Sequence, residues 1–235
     1  MKAIKGLILT GLLLITQVHA TLITTNEAAL DSIFSQTSFG NRPIDIRIGD
    51  ARELVFPSLL DISTSAEIRT LFDMHFGLAN VVNFYFVDTI SACGSTISSN
   101  IVGCGEYFGN DFVVESSFAA GGYGGELLAH ELGHNLGLPH LNGAYLMNPS
   151  LNSKTTLTTA EILKIHASPL VQSNGLDFWI DINPVLVVAQ ATNPEPIPEP
   201  SILLLFLLSF ALFGASAAKT KSPIIARFRP IPHAI

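Results

Sequence analysis

The sequence predicts an α+β fold for the central part of the chain, and three patterns lead to this prediction. Apolar residues recur at helical spacing in several segments, two of which begin with a capping box. Other segments alternate apolar with polar residues or are rich in β-branched and aromatic residues, as strands are. Helices and strands are intermixed without an internal repeat. About 170 residues, 21–190, suffice for one such domain.

The first half of this domain contains three predicted elements. Residues 26–34 have apolar side chains at helical spacing and predict a short helix. Residues 43–48 alternate Ile with Asp and Arg, which is the pattern of a half-buried strand. Thr64 and Glu67 form a capping box, and the helix that follows is predicted to extend to Gly77.

The second half contains two strands and two helices. Residues 81–87 and 111–114 are predicted strands by their composition. A longer central helix follows them, around residue 130. A second capping box, formed by Thr158 and Glu161, then begins a helix. Strands and helices therefore mix along the chain, which is an α+β layout.

The N-terminal 20 residues have the features of a secretory signal peptide. Lys2 and Lys5 precede an apolar run at 6–15, and small residues precede a cut after Ala20. An uncleaved anchor is the alternative, but the run is about half the roughly 20 residues that span a bilayer. The chain is therefore predicted to be exported.

The C-terminal end is predicted to contact a membrane. A Pro-rich spacer at 191–200 precedes a tail at 201–235, in which residues 202–218 carry no charge and basic residues follow. Pro198-Glu199-Pro200, the short apolar helix and the basic end resemble the PEP-CTERM sorting signals of Gram-negative bacteria. That resemblance implies recognition by an exosortase, a transient inner-membrane intermediate, and transfer to the cell surface or release. A simple membrane anchor is the alternative.

Charge and cysteine content narrow the possible partners and the compartment. Residues 21–200 contain six basic residues and all 19 acidic residues of the chain, so this part is strongly acidic. Such a charge disfavours nucleic-acid binding, although it would also serve solubility alone. Cys93 and Cys104 are predicted to form a disulfide in an exported protein, which would stabilise it by roughly 3 kcal/mol. The alternative is a free thiol that binds metal.

One short segment has the spacing of a zinc site. His130 and His134 are four residues apart, so on a helix they lie on one face and can bind one ion. Glu131 lies beside the first ligand, where it can act as a general base without binding the metal. Gly137 can end the helix in a left-handed conformation and bring His140 back as third ligand. Three protein ligands leave a position for water, which is the pattern of a catalytic site.

This segment resembles the signature of the metzincin metallopeptidases, His-Glu-x-x-His-x-x-Gly-x-x-His followed by a Met-containing turn, here at Met147. The resemblance covers residues 81–171. It implies a metzincin-like zinc peptidase domain at 21–190, with a mixed sheet, an active-site helix and a Met-turn beneath the metal. It also implies that an edge strand between Cys93 and Glu115 pairs with an extended substrate peptide.

We therefore expect an exported zinc endopeptidase that hydrolyses protein or peptide substrates. One zinc ion would polarise the scissile carbonyl and activate water, and Glu131 would serve as the general base. A catalytically inactive zinc-binding surface or matrix protein, sorted by the same tail, is one alternative. A zinc hydrolase with a non-peptide substrate is another.

Other candidate ligands carry weaker signals. Asp177, Asp181 and Asn183 offer oxygens that would suit Ca²⁺, but their spacing is not that of an EF-hand loop. His75 and His166 are isolated on predicted helices, and we expect them to have structural roles only.

Overall fold

The computed structural model of the chain describes residues 23–190. The predicted signal peptide at 1–20, the spacer at 191–200 and the sorting tail at 201–235 lie outside the described residues, so they stay predictions. Within residues 23–190 the fold is α+β with a mixed sheet, as predicted. The helices of this range are too short or too polar to cross a bilayer.

Five helices lie in the described part of the chain: α1 Glu27–Phe34, α2 Ser65–Phe72, α3 Ser116–Ala119, α4 Gly124–Asn135 and α5 Thr159–His166. The strands of the same part are β1 Ile44–Ile48, β2 Arg52–Val55, β3 Asp61–Ile62, β4 Val81–Val87, β5 Thr89–Ile90, β6 Ala92–Cys93, β7 Thr96–Ile97, β8 Gly103–Gly105, β9 Asp111–Glu115, β10 Gln172–Ser173 and β11 Phe178–Val188. Both predicted capping boxes are present, at the starts of α2 and α5.

The main sheet is built around β11. On one side β11 pairs in parallel with β1 and, further along, with β2. On the other side it pairs in parallel with β4, which in turn pairs in parallel with β9. β8 pairs antiparallel with β9 and is the outermost strand on that side of the described sheet. This antiparallel edge strand lies next to the helix that carries the predicted metal ligands.

Sequence patterns do not predict β11, because Pro184 interrupts it and a proline is rare in a central strand. The structure shows how the strand tolerates it. The carbonyl of Ile182 accepts a hydrogen bond from the Gly49 backbone, 2.8 Å, so the backbone of Ile182 faces β1. Pro184, two residues on, faces the same side, but there it meets the gap between the end of β1 and the start of β2. The missing N–H therefore breaks no strand pairing.

The sheet is covered on both faces, and β4 shows why its sequence is apolar almost throughout. Val82, Phe84 and Phe86 pack in a core with α1, α4 and α5. Tyr85 and Val87 point to the other face and pack in a second core with α2. A strand that is buried on both faces needs apolar residues at consecutive positions, so simple alternation is lost.

Helix α2 is shorter than predicted. It ends at Phe72, five residues before Gly77, and His75 is therefore not on a helix. His75 Nδ1 lies 3.0 and 3.1 Å from the two carboxylate oxygens of Asp111 at the start of β9. This contact with the sheet favours an irregular segment after the helix over a further helical turn.

The predicted disulfide is confirmed. Cys93 in β6 is bonded to Cys104 in the middle of β8, with their Cα atoms 5.7 Å apart. Neither thiol is free, so the alternative of a metal-binding thiol is wrong. The bond fixes the edge strand β8 to the segment that precedes it.

Helix α1 packs directly on the start of α4. Gly124 and Gly125 begin α4, and a Cβ on Gly125 would lie 2.6 Å from the Cβ of Ala29 in α1. Asn26, just before α1, donates a hydrogen bond of 2.8 Å to the Ala119 carbonyl. The glycines thus permit a close approach of two helices, which fixes the N-terminal end of α4.

Candidate metal centre

Helix α4 carries the first two predicted ligands and the predicted base. His130 and His134 lie one turn apart, with Glu131 beside the first. His130 and Glu131 are only 5% and 6% exposed, because α4 is packed between the sheet and the chain that follows it. Their side chains are therefore held in place by packing before any ligand binds.

The third ligand is brought to the site by a turn after α4. Gly137 adopts the predicted left-handed conformation, with φ 85°. Its backbone N–H donates to the His134 carbonyl, 2.9 Å, and the Leu138 N–H donates to the Gly133 carbonyl, 2.8 Å. These two bonds close the helix end and reverse the chain. His140 then faces the exposed side of the two helical histidines.

The three imidazoles converge as the sequence spacing predicts. His140 Nε2 lies 3.3 Å from His130 Nε2 and 3.2 Å from His134 Nε2. The ligand atoms of all three residues lie within 4.8 Å of one another. Nitrogens bound to one tetrahedral zinc ion at about 2.0–2.1 Å would be roughly 3.3 Å apart. The group can therefore hold one metal ion such as zinc.

Two of the ligands are oriented through their other ring nitrogen. His130 Nδ1 is 2.8 Å from the Leu146 carbonyl, and His134 Nδ1 is 2.9 Å from the Leu138 carbonyl. A carbonyl can only accept, so in both rings Nδ1 carries the hydrogen and Nε2 has a free lone pair. Both lone pairs point towards His140 Nε2, whose single hydrogen could serve only one of them. A metal ion bound by all three Nε2 atoms would accept a lone pair from each of them.

Burial also favours metal-binding protonation states. Loss of solvation lowers the pKa of His130 to about 4 and lowers the pKa values of His134 and His140 in the same direction. The neighbouring imidazoles add to the lowering at His130 and His134. The rings are thus neutral near pH 7, as metal ligation requires.

Met147 lies against the helix that carries the ligands. Its side chain is fully buried, and its Sδ atom occupies the space that a Cβ on Gly133 would need. Gly133 is the residue before His134, so the thioether contacts the backbone between the two helical ligands. The Met147 carbonyl accepts a hydrogen bond of 2.7 Å from the backbone of Leu141, next to the third ligand. Met147 therefore supports both segments of the site.

The edge strand β8 passes close to Glu131. A Cβ on Gly103 would lie 2.8 Å from the Glu131 carboxyl carbon, and a Cβ on Gly105 would lie 2.8 Å from the Glu131 backbone oxygen. Burial raises the pKa of Glu131 to about 8, although a hydrogen bond from the Gly105 backbone opposes the rise. A dication at the three imidazoles would lower this pKa again. The two glycines thus allow a strand and a carboxylate to share one edge of the site.

The site opens into a cleft of about 800 Å³. Its lining includes β8 and the residues around it, and residues of α4. The wall segment, Asn148–Leu151, which follows Met147, also lines it. His130, His134, His140 and Glu131 all line this cleft, so a ligand that enters it can reach the metal position and the carboxylate together.

The residues considered for calcium have other partners. The Asp181 carboxylate accepts hydrogen bonds from Gln172 Nε2, 2.7 Å, and from the Trp179 indole, 3.2 Å. Asn183 donates to the Phe76 carbonyl, 3.1 Å. Asp177 accepts from Asn174, 3.0 Å. Each of these side chains thus has a hydrogen-bond partner within the protein, and calcium binding there stays a prediction.

The two remaining predicted histidines lie away from the metal centre. His75 contacts Asp111, as described above. The ring of His166 lies between the rings of Phe39 and Phe178, at centroid distances of 5.7 and 5.4 Å. Both therefore have packing or hydrogen-bonding roles.

Two polar residues of α4 were not predicted, and each ties the helix to another segment. Asn135 donates to the backbone carbonyls of Glu106, 2.9 Å, and Asp111, 2.8 Å, which anchors the β8–β9 loop. Glu126 accepts two backbone hydrogen bonds from the loop that follows the wall segment. For Glu126 the sequence offers one indication of such a role. It lies one helical turn before His130 and therefore on the same side of α4.

The converging histidines, and not overall similarity, identify this centre. Their ligand atoms are close enough to hold one metal ion, and all three histidines line the cleft. Comparison of the chain with protein-family models, with curated proteins and with solved structures found no match in any of the three.

Proposed function

We propose that the chain is an exported zinc-dependent endopeptidase. The observation that carries the proposal is the convergence of His130, His134 and His140 in an open cleft beside Glu131. A structural zinc site is usually closed by four protein ligands, whereas three protein ligands are typical of catalytic zinc. The residues present fit a catalytic centre better than a structural one.

The chemistry divides between the ion and the protein. Zinc, when bound, would supply a Lewis acid for the scissile carbonyl and the attacking water. Glu131 is next to the first ligand and lines the cleft, so its carboxylate can take the proton of the attacking water and pass it to the leaving amine. The carbonyls of Leu146 and Leu138 keep the two helical imidazoles aligned during this exchange.

A peptide substrate is supported by the edge of the sheet. β8 is outermost in the described sheet, and it borders the cleft that contains Glu131. An extended peptide can add to such an edge through backbone hydrogen bonds. Gly103 and Gly105 have no side chains to obstruct its approach.

The resemblance to metzincins supports the same proposal. The metal-binding segment, the turn at Gly137 and the buried Met147 under α4 occur in the order of that family's signature. The antiparallel edge strand lies where the resemblance implies a substrate-binding strand.

The predicted leader and tail would direct this activity to the outside of the cytoplasm. Residues 1–20 would direct export, and residues 201–235 would hold the chain in the inner membrane until an exosortase removes the tail. The disulfide between Cys93 and Cys104 supports an oxidising compartment, because such bonds rarely persist in the cytosol. The mature enzyme would then act at the cell surface or in the medium of a Gram-negative bacterium.

The test is cleavage of an unlabelled protein mixture by the purified full-length protein, with new peptide ends mapped by mass spectrometry. Cleavage that requires zinc and disappears in Glu131→Gln supports the endopeptidase. Glu161→Gln is the matched control, because Glu161 is a similarly buried carboxylate that caps α5. Stoichiometric zinc without any cleavage would favour a zinc-binding surface protein or a hydrolase of non-peptide substrates.

A further inference from the structure

Glu126 is a buried carboxylate with an unusual set of partners. It is 7% exposed, in the first turn of α4. Its Oε1 accepts from the Asn152 backbone N–H, 2.7 Å, and its Oε2 accepts from the Ser153 N–H, 2.9 Å. Ser153 has a φ of 60°, a left-handed conformation that is uncommon for non-glycine residues. The carboxylate therefore fixes this loop at one point.

The wall segment Asn148–Leu151 lies between that point and a second one. At its N-terminal end, the Leu146 carbonyl binds His130 Nδ1, 2.8 Å. His130 and Glu126 are one turn apart on α4, so one helix holds the chain before the wall segment and after it. Within the loop, the side chain of Asn152 donates to the Gly143 carbonyl, 3.0 Å. The wall segment is thus short, and the chain on both sides of it is hydrogen-bonded to the helix that carries the proposed metal ligands.

Much of the cleft lining is apolar, although Asn148 and Ser150 of the wall segment also line it. Leu127, which follows Glu126 in α4, lines the cleft together with Pro149 and Leu151 of the wall. Val102, just before β8, and Phe118, in α3, line it as well. Glu131 is the sole acidic residue, and no Lys or Arg is present, among the described residues that line the cleft. A substrate side chain that enters here meets hydrocarbon on several sides.

We propose that Glu126 is a positioning residue that fixes the wall segment and thereby makes the enzyme select an apolar side chain beside the scissile bond. The proposal rests on the proposed endopeptidase function. Glu126 itself acts through the backbone of Asn152 and Ser153, and it neither binds the metal nor takes part in proton transfer. Loss of the Glu126 carboxylate should make the wall segment more mobile and weaken the preference for an apolar substrate side chain. Proton transfer by Glu131 should continue.

The test compares Glu126→Gln with wild type and with Glu161→Gln. Gln keeps the size of the side chain but can accept only through one atom, so one of the two backbone bonds is lost. A peptide that wild type cleaves is resynthesised with Leu or Gly at each position beside the cleaved bond, and kcat/KM is measured for each. Wild type should prefer Leu at one position by about tenfold or more. In Glu126→Gln this preference should fall towards one, chiefly through KM for the Leu peptide, with kcat for the Gly peptide retained.

A second measurement does not depend on activity. Amide hydrogen exchange should become about tenfold faster or more in Glu126→Gln at Asn152 or at Ser153, whichever amide loses its acceptor, and stay slow at both in Glu161→Gln. Zinc content reports whether each variant folds, and Glu126→Asp, with a carboxylate one methylene shorter, replaces the Gln variant if that does not fold.

The outcomes separate the two proposals. An unchanged Leu preference, or an equal loss for Leu and Gly peptides, would overturn the role of Glu126. If wild type cleaves no peptide, the endopeptidase proposal fails by itself. The exchange rates then test whether Glu126 holds the wall segment, and slow exchange at both amides in Glu126→Gln would show that it does not.

Discussion

The Sδ atom of Met147 lies against the backbone of Gly133, between the two helical histidines of the metal centre. The contact requires that residue 133 has no side chain, because a Cβ there would overlap the sulfur. The segment around Met147, which follows the three histidines, thereby packs on α4, the helix that carries two of them. Stability and metal binding should consequently depend on the same contact.

Gly133→Ala should destabilise the protein by about 1–3 kcal/mol and weaken zinc binding, because the added methyl group forces Met147 or the helix to move. Urea unfolding and a zinc titration measure the two effects. Gly122→Ala is the control, since a Cβ at Gly122 would meet nothing within 4 Å and should change stability by less than about 0.5 kcal/mol. Equal stability of the two variants would contradict the packing described here.

The purified protein should contain one zinc ion per chain. A chelator should remove it and lower the thermal midpoint, and added zinc should restore both. His140→Ala should reduce zinc affinity by more than the roughly 10- to 100-fold that loss of an outer-shell partner costs. His166→Phe, which keeps an aromatic ring between Phe39 and Phe178, should retain the metal. Metal analysis of each variant decides, and full zinc content in His140→Ala would refute the ligand set.

Glu131→Gln should separate catalysis from metal binding. The amide cannot accept a proton, so hydrolysis should fall by about 10²- to 10⁴-fold while zinc content stays near one per chain. Turnover of a cleaved peptide and metal content are measured on the same preparation. Turnover like that of wild type would rule out Glu131 as the base.

Asp111 should make stability depend on pH in a defined direction. Burial raises its pKa above the ordinary value of 3.8, although hydrogen bonds from Asn83 and His75 oppose the rise. Protonated Asp111 therefore contributes to the free energy of unfolding. This contribution is complete below the pKa of the unfolded state and is lost as the pH rises through the pKa of the folded state. Asp111→Asn cannot ionise, so its free energy of unfolding should improve relative to wild type as the pH rises above 3.8.

The measurement is urea unfolding of chelator-treated wild type and Asp111→Asn, over a series of pH values from that of an unfolded carboxyl group to neutrality. Chelator treatment removes any contribution from metal release. A difference between the two proteins that is constant with pH, or that moves in the opposite direction, would contradict the raised pKa.

The tail should be removed during export. A 17-residue uncharged stretch at 202–218 is about 26 Å long as a helix, which is marginal for a permanent anchor. We expect the mature protein to end near Pro200, and intact-mass measurement tests this. Replacing Pro198, Glu199 and Pro200 with Ala should leave the full tail in the inner-membrane fraction. A native mature chain that retains residues 202–235 would show that the segment is only an anchor.

Local rules were sufficient where the contacts themselves are local. His130 and His134 could be paired from sequence because helical periodicity alone places them one turn apart, and Gly137 because a helix end needs a left-handed residue. The capping boxes at Thr64 and Thr158 were predictable for the same reason, since each closes within four residues.

What escaped prediction depends on distant parts of the chain. Pro184 argues against a central strand unless the gap between β1 and β2 is known. Glu126 looks like an ordinary surface acid until the loop 26 and 27 residues later is folded against it. The edge strand was expected between Cys93 and Glu115, but nothing in the sequence shows that Gly103 and Gly105 leave room there for Glu131. Sequence periodicity does not indicate which residues far apart in the chain come into contact.

The position of β11 also constrains when the proposed enzyme could become active. It is the last strand of the described chain in order of synthesis, yet it lies in the middle of the sheet, between β1 and β4. Until residues 178–188 have left the ribosome or the export channel, the two halves of the sheet have no common neighbour, and pairing must wait for these distant contacts. A nascent chain would hold all three histidines before it holds a completed sheet beneath them. If the chain is the exported peptidase that we propose, this order would delay its activity to the end of translocation and would spare the producing cell from premature proteolysis.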